Sequence, residues 1–93
     1  MPVLLSHGAH PNPFNPKTSL RFTLVQDAEV QVGIFDVSGR RVARLFDGRL
    51  GAGDHRLDWD ARDESGAVLP AGLYLYRITT PDEAGTGKLV LLP

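Results

Sequence analysis

The fold is decided by the stretch Trp59-Asp-Ala-Arg-Asp-Glu-Ser-Gly66, which leads through three residues into Pro70-Ala-Gly-Leu-Tyr-Leu-Tyr-Arg77. Its first half is an acidic segment rich in turn-forming residues. Its second half alternates leucine and tyrosine, so the tyrosines share one face of a strand and the leucines share the other. Large apolar residues on both faces are typical of a strand in the middle of a sheet. Residues 73–79 are therefore predicted to form a central β-strand.

Similar short alternations occur on both sides of this stretch. Leu20, Phe22 and Leu24 give one apolar face to an early strand. Within residues 41–50 the apolar residues occupy both parities, and Asp47-Gly48 is a candidate bulge. The predicted strands are residues 20–24, 30–36, 41–50, 55–60, 73–79 and 88–92. This number of short strands, with turn signals every ~8–12 residues, predicts an all-β antiparallel sandwich of about seven strands.

Composition excludes several classes of protein. The chain has 93 residues, the size of one small domain, and its 10 Lys and Arg nearly balance its 11 Asp and Glu. That balance offers no field to attract nucleic acid or an acidic membrane. The lack of cysteine excludes disulfides, thiolate metal sites and a cysteine nucleophile. No apolar run approaches the ~20 residues of a membrane span, so membrane insertion is not expected.

The first part of the chain reads as irregular. Pro11, Pro13 and Pro16 disfavour a helix and favour extended or turn backbone. We expect residues 1–9 to be a linker or lead-in, with mobile His7 and His10, and residues 10–93 to form the sandwich domain. The start lacks the basic region and long apolar segment of a signal peptide, so any export signal would belong to a longer parent chain.

The sequence contains no recognisable set of catalytic residues. No serine lies in a Gly-x-Ser-x-Gly elbow, and His55 is best interpreted as a half-exposed strand residue. Trp59, Tyr74 and Tyr76 could stack on a sugar, but aromatic residues at strand spacing are more often core. The sequence therefore predicts neither an enzyme nor a bound cofactor.

The acidic loop is a weak candidate for calcium. Asp58, Asp60, Asp63 and Glu64 supply oxygen ligands at short spacing, which calcium favours. Their order does not match an EF-hand loop. The alternative is an Asx-type turn, in which aspartate side chains accept hydrogen bonds from backbone N–H groups, and this interpretation is preferred.

An ordered set of motifs extends over residues 10–93. The motifs are Asn12-Pro-Phe-Asn-Pro16, Phe35-Asp-Val-Ser-Gly-Arg-Arg-Val42, Ala52-Gly-Asp-His55, Trp59-Asp-Ala-Arg-Asp-Glu-Ser-Gly66, Gly72-Leu-Tyr-Leu-Tyr-Arg77 and Lys88-Leu-Val-Leu-Leu92. The set resembles the type A C-terminal sorting domain of the Bacteroidota type IX secretion system. It is also similar to the immunoglobulin-like domain of the flagellar hook-capping protein. Two positions depart from the pattern: Gly33 replaces a larger apolar residue, and Pro93 stands where a basic residue is common.

The resemblance implies an immunoglobulin-like, non-catalytic domain with its cargo N-terminal to it in a larger exported protein. An outer-membrane translocon would recognise the folded domain, and a surface peptidase would remove it near residues 1–11. The parent protein would reach the cell surface, or be secreted, by way of the periplasm. The rival functions are a structural assembly module, like the hook cap or a fibronectin-like spacer, and a carbohydrate-binding module.

A signal that is read after folding must be a surface, and two segments are candidates. The terminal strand could be read at a sheet edge by strand addition, or it could simply complete the core. The second segment is the turn at Gly39-Arg40 with the approach through Pro70-Ala-Gly72, for which plain turn geometry is the preferred alternative. The candidate recognition residues are Lys88, Leu89, Val90, Leu91, Leu92, Gly39, Arg40 and Gly72.

Overall fold

Two antiparallel β-sheets make up the structure, a computed structural model that describes residues 3–93. Seven strands follow one another in the chain. They are β1 (Leu4–His10), β2 (Thr18–Leu24), β3 (Ala28–Phe35), β4 (Arg41–Leu50), β5 (Gly53–Trp59), β6 (Gly72–Thr80) and β7 (Glu83–Leu91). One sheet has the order β1-β2-β5 and the other has the order β4-β3-β6-β7. The prediction of an all-β, immunoglobulin-like sandwich is confirmed.

The strand order places β6 between β3 and β7, so the predicted central strand is central. In the constant-type immunoglobulin arrangement the fourth strand joins the first sheet. Here β4 pairs with β3 in the second sheet instead. Residues 3–93 contain no helix of the length and hydropathy that a membrane crossing requires.

The core lies between the inward faces of the two sheets, where side chains two residues apart point the same way. Leu20 and Ile34 are fully buried, as are Ile78 and Leu89. Burying one such side chain stabilises the fold by about 1.5–3 kcal/mol relative to leaving it in water. Trp59, Tyr74 and Tyr76 are also buried, which confirms that these aromatic residues belong to the core.

Tyr74 forms a tyrosine corner at the start of β6. Its hydroxyl donates a hydrogen bond of 2.6 Å to the carbonyl oxygen of Pro70, four residues upstream. Burial, and next the negative charge of Asp36, raise the pKa of the Tyr74 phenol, so it remains a donor at neutral pH. The corner fixes the path of the chain as it enters the central strand.

We predict that Tyr74→Phe lowers the free energy of unfolding by about 1–2 kcal/mol, because the ring still fills its place while the hydrogen bond is lost. Urea denaturation followed by tryptophan fluorescence measures the change through the neighbouring Trp59, whose ring centroid lies 5.9 Å from that of Tyr74. An unchanged denaturation midpoint would show that the corner bond makes no net contribution.

The apolar residues within 41–50 occupy both parities because β4 contains two irregularities. Val32 faces Phe46 while Gly33 faces Arg44, and Ile34 faces Ala43 while Phe35 faces Arg41. Leu45 and Val42 are therefore extra residues opposite β3, and each reverses the alternation. The predicted bulge at Asp47-Gly48 is wrong in position, since both residues pair regularly with β3.

The expectation of a lead-in over residues 1–9 needs correction, because residues 4–9 form most of β1. This edge strand pairs with β2 from Leu4 to His10. Its first amides also reach β7: the N–H groups of Val3 and Leu4 donate to the Glu83 carboxylate. Backbone pairing and this carboxylate hold a segment whose side chains are mostly exposed, which is why the apolar pattern missed it. Cleavage within residues 4–10 would require β1 to leave β2.

Candidate recognition surface

The terminal strand β7 lies at the edge of its sheet and divides its side chains between two faces. Leu89 and Leu91 are 0% and 5% exposed and complete the core. Lys88 and Val90, together with Leu92 directly after the strand, point to solvent. Of the candidate residues in this strand, only the outward three are therefore available to a partner.

The outer edge of β7 is already paired. The side-chain amide of Asn12 donates to the carbonyl oxygen of Lys88 at 2.7 Å and accepts from the N–H of Val90 at 3.0 Å. The backbone of Phe14 continues the pairing, with bonds of 2.9 Å to the oxygen of Val90 and from the N–H of Leu92. Asn15 donates to the oxygen of Pro93 at 2.9 Å. We call this segment the 12–15 clamp.

The clamp argues against strand addition, one of the two ways in which the terminal strand could act. An incoming strand needs unpaired N–H and C=O groups at the edge. Along residues 88–92 four of these groups already have partners in the clamp: the oxygens of Lys88 and Val90, and the amides of Val90 and Leu92. A partner would have to displace the clamp to add a strand here.

Phe14 anchors the clamp in the core. Its side chain is buried, and its ring centroid lies 5.7 Å from that of Trp59. Trp59 is fixed in turn by a 3.0 Å hydrogen bond from its indole N–H to the oxygen of Arg62. These buried rings cannot stack on a sugar, so the carbohydrate-binding alternative loses the platform that suggested it.

The solvent face of β6 and β7 is apolar at the end that contains Leu73, Leu75 and Val90. Leu73 lies directly across from Val90, and Leu75 lies across from Lys88 on one side and from Phe35 on the other. A Cβ placed at Gly33 would lie 3.3 Å from the Phe35 ring, so the glycine allows this ring to lie close to the sheet. We call this surface the β6–β7 outer face; its members are Phe35, Leu73, Leu75, Arg77, Lys88, Val90 and Leu92.

Two turns near the acidic loop share one design. In the turn of residues 36–40, Oδ1 of Asp36 accepts from the N–H and hydroxyl of Ser38 and from the N–H of Arg40. In residues 63–67, Oδ1 of Asp63 accepts from the matching groups of Ser65 and Ala67. Both turns contain a glycine with φ of 89°, a left-handed value that favours glycine. The Asx-type turn predicted for the acidic loop is confirmed at Asp63.

The two turns are neighbours in space. The N–H of Glu64 bonds to the oxygen of Val42 at 3.1 Å, and the Glu64 carboxylate lies 3.1 Å from the Arg41 guanidinium. Asp36-x-Ser-Gly and Asp63-x-Ser-Gly repeat in the sequence, and this repeat is a signal of the shared turn geometry but not of the contact between the turns.

These turns make a specific prediction about acid stability. The hydrogen bond from the Ser38 hydroxyl is the main reason that the pKa of Asp36 is lowered from its ordinary value. The hydrogen bond from the Ser65 hydroxyl lowers the pKa of Asp63 in the same way. A pKa lowered by folding stabilises the fold above the unfolded pKa, and that stability is lost as the pH falls through the folded pKa. Asn at both positions keeps an acceptor oxygen but cannot titrate.

We therefore expect the double variant Asp36→Asn, Asp63→Asn to lose less stability than the wild type as the pH falls from 5 to 2. Thermal unfolding across this range, monitored by circular dichroism, gives the comparison. An equal loss of thermal stability in the two proteins over this pH range would show that the turn carboxylates do not contribute to acid unfolding.

The second candidate segment lies at the same end of the sandwich as these turns. Arg40 is well exposed, with its guanidinium 3.3 Å from the Asp36 carboxylate. Gly39 and Gly72 both have positive φ, so turn geometry alone explains why glycine occupies these positions. The structure gives no further contact that assigns them to a partner, and their recognition role stays a prediction.

The acidic loop does not gather its carboxylates. Asp58 accepts from Ser19 at 2.7 Å and from Arg56 at 2.9 Å, and these bonds, the Ser19 bond first, lower its pKa. Asp60 lies 3.6 Å from Arg62. Across residues 3–93, no group of three or more His, Asp or Glu side chains has the arrangement of a metal site. The weak calcium candidates thus have separate partners within the fold.

The sequence model of the FlgD Ig-like domain matches residues 14–84. The chain belongs to the FlgD Ig-like domain family. The matched range of this Ig-like domain begins at Phe14, the anchor of the clamp, and ends within β7.

Two curated relatives are FlgD proteins that are longer than this chain. The basal-body rod modification protein FlgD of Salmonella typhimurium is 34% identical over 92 residues, which are 98% of this chain and 39% of the relative. FlgD of Salmonella typhi matches to the same extent. The Ig-like domain therefore spans about two fifths of the length of these proteins.

Two solved structures share the fold. The crystal structure of FlgD from P. aeruginosa has a TM-score of 0.57 and 31% identity, covering 81% of this chain and 57% of that one. Dimeric latent PorU from Porphyromonas gingivalis has a TM-score of 0.76 and 22% identity over 92% of this chain and 9% of PorU. At that identity the PorU likeness concerns the fold alone.

Proposed function

We propose that this Ig-like domain is a non-catalytic recognition module, the folded C-terminal sorting signal of a larger exported bacterial protein. The cargo lies N-terminal to it in the parent chain. An outer-membrane translocon of the type IX system recognises the domain, and a surface peptidase removes it. The parent passes through the periplasm to the cell surface or the medium.

One observation carries the proposal: the first and last motifs of the sorting-domain resemblance touch each other. The 12–15 clamp belongs to Asn12-Pro-Phe-Asn-Pro16, and its bonds are made to Lys88-Leu-Val-Leu-Leu92. Each motif thus supplies hydrogen-bond partners to the other. The outward residues of the terminal strand therefore occupy fixed positions only in the folded domain, as a signal read after folding requires.

A reporter fusion tests the proposal. Residues 1–93 are joined to the C-terminus of a periplasm-targeted fluorescent protein in a type IX-competent host. We expect the reporter at the cell surface or in the medium. The matched control carries the Ig-like domain of Salmonella FlgD, which should leave the reporter in the periplasm. Equal retention of both fusions would contradict the sorting function.

Lys88→Ala separates recognition from folding better than removal of residues 89–93, since removal deletes the buried Leu89 and Leu91. The Lys88 side chain is exposed, so the substitution should change the free energy of unfolding by no more than about 0.5 kcal/mol. We predict that export of the Lys88→Ala fusion falls several-fold. Undiminished export would remove Lys88 from the recognised surface.

A second candidate is an assembly module of the hook-cap type. The observation that favours it is the 34% identity to Salmonella FlgD across 98% of this chain. The test places this chain in Salmonella FlgD in place of its own Ig-like domain. Restored motility would support the assembly role, whereas a stable but non-motile chimaera would argue against it.

A further inference from the structure

The β6–β7 outer face exposes several large apolar side chains that adjoin one another. Leu73, Val90 and Leu92 are 42%, 37% and 45% exposed. Leu73 and Val90 are direct cross-strand neighbours, and Leu75 adjoins Leu73 along the face, with Phe35 across from it. The side chains form one continuous stripe rather than scattered single residues. Continuous exposed apolar surface of this kind marks interaction sites.

The stripe is bordered by cations without partners. Within residues 3–93, neither Arg77 nor Lys88 has a carboxylate within 4.0 Å, whereas the arginines of β4 on the same sheet all do. The solvent-facing residues of β6 and β7 include no acidic side chain. The charge of this face is therefore positive and uncompensated, even though the whole chain carries a net charge of -1.

We infer that the β6–β7 outer face docks against a folded protein surface that presents aliphatic side chains beside carboxylates. This inference rests on the proposed sorting function, and it assigns recognition to the face of the terminal strand rather than to its edge. The apolar stripe supplies the buried centre of the contact. Arg77 and Lys88 supply orientation and reject partners of positive charge.

Charge argues against a second copy of this chain as the occupant. A two-fold contact through the same patch would bring two copies each of Arg77 and Lys88 into one interface, and the outward residues of β6 and β7 offer no carboxylate to pair with them. Like charges placed together in an interface oppose association. A carboxylate-bearing partner instead completes both the polar and the apolar parts of the face.

The experiment uses the reporter fusion with paired variants. Leu73→Thr with Val90→Thr keeps good strand residues but removes the aliphatic stripe, and Arg77→Gln with Lys88→Gln removes the charge. The controls are Val25→Thr, at an apolar residue that is 47% exposed in a turn, and Arg21→Gln, on the other sheet. Circular dichroism and thermal unfolding of the purified fusions confirm that each variant is folded.

We expect each double variant to lower export at least tenfold while both controls export like the wild type. If the folded double variants export normally, the inference fails and the sorting function stands. If the wild-type fusion is not exported, both the sorting function and the inference fail.

A photo-crosslinker at residue 73, in the exporting host, identifies the occupant. An adduct with an outer-membrane protein that is lost in the Arg77→Gln, Lys88→Gln background supports the inference. An adduct of twice the fusion's own mass would overturn it in favour of a second copy. Flotation of the purified fusion with anionic lipid vesicles, lost in the same variant, would overturn it in favour of a membrane.

Discussion

Phe14→Ala is expected to lower the free energy of unfolding by about 3–5 kcal/mol, the usual cost of emptying a buried phenylalanine site. The site is well packed, since Phe14 is only 1% exposed and contacts the Trp59 ring. A domain of this size has a stability of about 5–15 kcal/mol, so the loss is a large share of the total. Urea denaturation measures it.

The same substitution should also open the edge of β7. The backbone bonds of Phe14 to Val90 and Leu92 depend on the ring that anchors the segment. Native-state hydrogen exchange should then show that Phe14→Ala accelerates exchange, relative to the wild type, more at the amides of Val90 and Leu92 than at those of the central strand. Phe14→Leu is the matched control, because it keeps most of the apolar volume and should retain slow exchange. Equal exchange in wild type and Phe14→Ala would disprove the anchoring role.

Most of the fold could be predicted because apolar alternation is strong wherever a strand has one face in the core. The pattern at Tyr74 and Tyr76 placed the central strand correctly, and Leu20 to Leu24 placed β2. The strand β1 could not be found this way. Its side chains are mostly exposed, and backbone pairing with β2 and the Glu83 carboxylate hold it in place.

The sequence singled out the terminal strand as a candidate surface but did not show which strands form the sheet edges. In the structure this strand lies at a sheet edge. The clamp could not be predicted, because its side-chain amides bond to residues that lie 76 to 78 positions further along the chain. No local periodicity encodes such a contact. The available signal was a phenylalanine between Asn12 and Asn15 in a proline-rich segment.

Gly87→Ala is expected to lower the free energy of unfolding by about 1–3 kcal/mol through overpacking. Gly87 lies across from Tyr76 in the β6–β7 pair, and an added Cβ would collide with the Tyr76 ring and its hydroxyl. The ring cannot move freely, because its hydroxyl is 2.6 Å from Nδ1 of His7 in β1. Displacing it would disturb the contact between the two sheets as well as the pair itself.

A double-mutant cycle separates this collision from an intrinsic preference for glycine at the position. In a Tyr76→Leu background the added methyl group meets no ring, so Gly87→Ala should cost much less there than in the wild type. Gly8→Ala serves as the matched control, since no heavy atom lies within 4 Å of its added Cβ. An equal cost in both backgrounds would mean that backbone conformation at Gly87, and not the Tyr76 ring, excludes a side chain. The contact between Tyr76 and His7 of β1 would then play no part in the choice of glycine at this position.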